Sequence, residues 1–120
     1  MKIESSIVED NIEIVNSKDE TVLNIPFRIN LTASYERVNK ARYDFKVVSQ
    51  TEDVNAIGEA VIALFVAVFG EDITEQIINY YQKDYITMLT DMTPYFSEVI
   101  YPALENYREK TLAAHKRAKR

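Results

Sequence analysis

The sequence predicts an α+β fold, a small N-terminal antiparallel β meander or hairpin packed on a bundle of about four to five helices. Three observations lead there. Strict alternation of apolar and polar residues occurs only near the N-terminus, most clearly with Leu23, Ile25, Phe27, Ile29 and Leu31 on one face. Beyond it, apolar residues recur at the three- and four-residue spacing of helices. The only glycines are Gly58 and Gly70 and the only prolines Pro26, Pro94 and Pro102, too few turn formers for an all-β sandwich.

Taken in order, Ile3, Ser5 and Ile7 alternate with polar neighbours, Glu9, Asp10 and Asn11 have turn character, and Ile12 and Ile14 resume the alternation. Two short strands are expected there, a polar loop over 16–20, and a third strand ending at Leu31. Pro26 cannot donate to a ladder, which puts the third strand at an edge or a bulge. The meander, 1–31, is too small to be stable alone, so helix must cover its apolar face.

The helical part is expected over 32–109. Tyr35, Val38, Ala41, Arg42, Phe45 and Val48 define a first helix, with Glu36 and Lys40 spaced for an exposed ion pair. Ser49 and Glu52 have capping-box spacing and Asp53 offers a second cap, so another helix begins near them and ends at Gly70. Its stretch 61–69 is apolar throughout, which predicts a central helix with both faces buried. A third helix from Glu71 buries Ile73, Ile77, Ile78 and Tyr81, and Lys83 and Asp84 bend it or cap a restart that runs through Tyr85, Met88, Leu89 and Met92. Thr93 and Pro94 read as N-cap and first residue of the last helix, with Phe96, Val99, Ile100, Ala103, Leu104 and Tyr107 inward. Pro102 removes the bond to the Glu98 carbonyl, which predicts a kink between Glu98 and Pro102. The segment 110–120 reads as a basic tail that frays or projects.

The chain fits one domain, 1–120. It has no cysteine, which excludes a disulfide framework and a thiolate metal site and leaves a reducing cytoplasm as the default. The first ten residues lack the apolar core of a signal peptide. The run 60–69 is about half of the roughly 20 residues that cross a bilayer, so no membrane contact is expected. The formal charge is −5, and all 19 acidic residues lie at or before Glu109, whereas five of the 14 basic ones follow it. Such a body is not expected to attract a phosphate backbone, although its tail could touch one.

Residues for chemistry are scarce. The one histidine, His115, sits in the basic tail, away from any rigid scaffold that could hold it for catalysis. One histidine without cysteine makes no zinc site, two isolated glycines make no phosphate loop, and pairs such as Glu71 with Glu75 read as solvated helix surface. No catalytic residue, metal or cofactor is therefore expected. Aromatic residues are the more distinctive feature, since six of the eight tyrosines fall between Tyr80 and Tyr107. Tyr81, Tyr85, Met88 and Met92 approximate the anchor spacing of a helix-binding surface, and Tyr80, Tyr95 and Tyr101 fall off the inward stripe. These seven are the candidate partner-binding residues; the competing reading makes most of the tyrosines half-buried core.

The strand V-L-N-I-P-F-R-I, the F-G closing an apolar helix, and Y-Y-Q-K-D-Y-I-T-M-L-T-D-M-T-P-Y-F-S-E-V-I-Y-P follow one another along most of the chain. In this layout the chain resembles the tail assembly chaperones of long-tailed, siphovirus-type phages. The resemblance implies a non-enzymatic protein of the bacterial host cytoplasm that coats the helical tape measure protein, helps recruit tail tube subunits and self-associates, often with a second form extended by frameshifting. It carries no catalytic residues. The alternative from the residues themselves is a small adaptor or a nucleic-acid accessory protein that uses the basic tail.

Overall fold

The computed structural model describes residues 6–118 and shows an N-terminal hairpin followed by helices. Strand β1 (Ile7–Val15) pairs antiparallel with β2 (Thr21–Asn30), with a register irregularity at Ile14 and Val15. The fold class is as expected, but in the described residues the meander is a two-stranded hairpin. Glu9, Asp10 and Asn11 do not turn; they continue β1 opposite Arg28, Phe27 and Pro26. Cross-strand pairing with the ten-residue β2 overrides their local turn preference, and the Glu9 carboxylate meets the Arg28 guanidinium at 3.4 Å across the ladder. Ile3 and Ser5 lie outside the described residues.

The connecting turn is held by Asn16, whose Oδ1 accepts from the backbone N–H groups of Lys18 and Glu20. Pro26 is tolerated because each strand of a two-stranded sheet has an open edge. Ile12, Ile25, Phe27 and Ile29 bury the inner face, as the alternation requires.

Helix α1 (Leu31–Val48) follows β2 directly, capped by Asn30, whose side chain accepts from the Ala33 N–H. The Glu36 and Lys40 pair does not form; Lys40 pairs forward with Asp44 at 2.9 Å. Helix α2 (Val54–Phe69) is capped by Asp53, and Ser49, expected in a capping box, instead ends α1, where its hydroxyl donates to the Lys46 carbonyl. Arg37 joins the two helices, its Nε donating to the Ala67 carbonyl and its Nη2 to the Ser34 hydroxyl.

At the end of α2, Gly70 has φ 87° and ψ 169°, a backbone region that side chains strain against. It accepts the Thr74 N–H with its carbonyl and thereby starts α3 (Glu71–Tyr80). Helix α2 is central, but its burial is not complete on both faces. Val61, Leu64, Phe65 and Val68 are core, whereas Ile62 and Val66 are half-buried and Ala63 is exposed, because the neighbouring elements wrap only part of its circumference.

A turn with left-handed Gln82 and Lys83 leads to Asp84, which caps α4 (Tyr85–Tyr95). Here the expectation from Thr93 and Pro94 is overturned. Pro94 lies inside α4, and Thr93 turns its hydroxyl back onto the Leu89 carbonyl. The irregularity expected near Glu98 is a π-helical turn, Phe96–Ile100, in which the Tyr101 N–H donates to the Phe96 carbonyl. Helix α5 (Tyr101–Ala118) continues without a break. The rod from Tyr85 to Ala118 is about 50 Å long at 1.5 Å per residue, close to the longest molecular dimension of 53 Å. Residues 108–118 are exposed throughout and helical, so within the described residues the basic tail is a projecting helix end. Lys119 and Arg120 lie outside them.

Candidate functional site: an apolar groove between two helices

An aromatic cluster sets the geometry from which the site follows. Phe65 on α2 meets Phe96 edge-on at 5.1 Å, and Phe69 meets Phe27 of the hairpin in the same way at 5.1 Å. Phe96 stacks on Tyr101 at 5.9 Å. These contacts draw the π turn onto α2 while α1 packs along the neighbouring side of α2. The C-terminal half of α1 and the α4 to π-turn stretch consequently stand as two walls over α2.

Between them lies a groove of about 530 Å³. Asn39, Arg42, Tyr43 and Lys46 of α1 form one wall, Leu89, Thr93, Phe96 and Ser97 the other, and Leu64 lies at the base. Tyr101 lines the groove as well, and the Arg42 guanidinium lies 3.9 Å from the centre of its ring. Tyr43 is 67% exposed, a large apolar body left standing in water at the rim. From Asn39 to Ser49 the α1 wall runs about 15 Å, or three helical turns. Two basic residues and no carboxylate line the groove.

The seven residues expected to bind a partner do not form one surface. Met88 is fully buried and Met92 nearly so; both are core residues, as the inward stripe has them, and neither is open to a partner. Tyr81 is half-buried and donates its hydroxyl to Asp91 at 2.9 Å. Tyr85 lies over Gly58, where an added Cβ would come within 3.2 Å of its ring, so the glycine permits this close approach. Tyr95 is turned inward, edge-on to Phe27 at 5.8 Å, with its hydroxyl 3.3 Å from the Asp10 carboxylate. Its misplacement follows from α4 continuing through Pro94 rather than restarting there.

Tyr101 lies off a 3.6-residue stripe, yet the extra residue in the π turn rotates it onto Phe96 and into the groove. Of the seven, only Tyr80, at 41%, counts as an exposed side chain. The groove residues missed in the sequence are Asn39, Tyr43 and Lys46. Their signal is an outward tyrosine on an amphipathic helix beside two basic residues at i and i+4.

Ionisation follows the packing. Burial first, then the bond to Asp91, pushes the Tyr81 phenol far above its ordinary value; burial and the nearby Asp10 charge do the same to Tyr95. Burial raises Tyr101 also, and the Arg42 charge opposes that rise. Folded-state values above the unfolded one of about 10 mean that the stabilisation is complete below about pH 10 and is lost as pH climbs toward the folded values. Denaturation midpoints measured from about pH 9 to 11.5 are therefore expected to fall. Phenolate absorbance should show part of the tyrosines resisting ionisation until the chain unfolds, whereas titration of all eight together near 10 would contradict this packing.

Among the described residues no group of three His, Cys, Asp or Glu is placed to hold a metal ion, and no helix is long and apolar enough to cross a membrane. A scan against protein-family models, a search of the curated proteins and a search of the solved structures found no significant match, so the groove has to be understood from its own residues.

Proposed function

We propose that this protein is a non-enzymatic assembly chaperone that holds an amphipathic helix of another protein in the groove between α1 and the α4 to π-turn rod. The groove carries the reading: it is open, mostly apolar, about three helical turns long and bounded by helices on both sides. A helix laid there would complete the bundle, packing its apolar face on Leu64, Leu89 and Phe96 while its polar face stays in water. The resemblance to tail assembly chaperones of long-tailed phages supplies a setting, in which the helix belongs to the tape measure protein, tail tube subunits are recruited, and copies self-associate in the bacterial cytoplasm.

Hydrogen exchange on the full chain, with and without the tape measure protein of the same phage, tests the proposal. New protection is expected over 39–49 and 89–101. A complex that protects only other segments, or no complex at all, would overturn it. A nucleic-acid accessory role has one observation in its favour, the exposed helix end bearing Lys116 and Arg117. That role demands DNA affinity that falls steeply with salt.

A further inference from the structure

We infer that the helix held in the groove is acidic, with carboxylates one turn apart facing Arg42 and Lys46. This rests on the reading that the groove binds a helix. The chain has 19 acidic and 14 basic residues, so its average surface is negative. Its apolar groove is the opposite, with two cations at the rim and no carboxylate.

The acidic residue of α1 nearest in sequence to both, Asp44, points away from the groove by helical periodicity and is engaged by Lys40 at 2.9 Å. Neither Arg42 nor Lys46 has a carboxylate partner among the described residues. Exposed cations without a carboxylate partner, set beside an apolar trough, favour a negative partner and penalise a positive one.

The geometry refines the inference. The face of Tyr101 holds the Arg42 guanidinium in place, so less side-chain freedom is lost when it pairs, and its planar fork still offers several donors. Lys46 lies one turn further along the same wall, roughly 6 Å away. A docked helix therefore meets both with Asp or Glu at i and i+4 or i and i+3. Lys46 also lies in the last turn of α1, where the helix end takes up part of its charge, so Arg42 is the stronger anchor. The same electrostatics argue against the C-terminal helix of a second copy as occupant, because that segment is basic and has no acidic residue after Glu109.

Three labelled helical peptides of about 14 residues, alike in a Leu pattern at i, i+3, i+4 and i+7 and differing only in flanking Glu, Gln or Lys, test this by anisotropy on the full chain. The Glu peptide should bind best, about fivefold tighter than the Gln peptide at low salt, an advantage that shrinks as salt is added. Lys46→Glu and Arg42→Glu should shift the preference toward the Lys peptide. Arg42→Gln, together with thermal melts of each variant, separates lost charge from lost packing on Tyr101.

If all three peptides bind equally and the variants leave the order unchanged, the acidic partner is refuted while helix docking stands. If no peptide binds, or if binding survives Ser97→Trp, which fills the groove, helix docking itself is wrong.

Discussion

Phe65→Ala is expected to destabilise the protein by about 3–5 kcal/mol, a large part of the roughly 5–15 kcal/mol that holds a domain folded. Phe65 is 0% exposed on the central helix and touches both Phe96 and Phe69. Through Phe69 the contact extends to Phe27 of the hairpin, and through Phe96 to Tyr101 of α5. Truncation removes transfer energy, leaves a cavity between elements that cannot collapse independently, and loses one edge-to-face pair, with Phe96, and one tilted pair, with Phe69, contributing roughly 0.5–1.5 kcal/mol each. Phe65→Leu keeps most of the volume and should cost about 1.5 kcal/mol or less. Urea unfolding of both variants checks the ranking. A Phe65→Ala midpoint close to that of the parent protein would mean that this ring is not the joint between hairpin and helices.

That joint was only partly legible in the sequence. Period-2 alternation placed β2, because a strand with one buried face must alternate, and Ile25, Phe27 and Ile29 do so; only its end was misjudged, since Leu31 keeps the alternation but opens α1 behind the Asn30 cap. Gly70 and Asp84 marked helix boundaries because a left-handed glycine and a capping carboxylate satisfy backbone groups locally. Turn composition at Glu9, Asp10 and Asn11 misled, since strand pairing is a non-local interaction that local preference does not register.

Pro94 misled for a related reason. Its missing N–H suits a first helical turn, but it also falls in the last turn of α4, where packing of Tyr95 and Phe96 outweighs one absent bond. The groove was the least legible feature. Which outward residues share a surface depends on how α1 and α4 lie on α2, and a π turn changes which side of the rod Tyr101 occupies; neither is written in the periodicity of one helix.

The sharpest consequence is a contrast between Tyr43, which helical spacing did not single out, and Met88, which it offered as a partner anchor. Tyr43→Ala removes a ring that is 67% exposed and stands at the groove rim, so stability should change by no more than about 0.5 kcal/mol. If the groove receives a helix, the same truncation deletes an aromatic anchor, and affinity for the helical partner should drop roughly 30-fold, about 2 kcal/mol. Met88→Ala should behave in the opposite way. Its side chain is 0% exposed, so truncation should cost about 2–5 kcal/mol of folding stability while the folded fraction keeps its affinity. Unfolding and binding measured on the same two preparations distinguish the cases, because only a contact that exists in the complex alone can lower affinity and leave the free protein intact. The reverse result, a destabilising Tyr43→Ala and a stable Met88→Ala that no longer binds, would return the interface to the aromatic C-terminal third and leave the groove without a role.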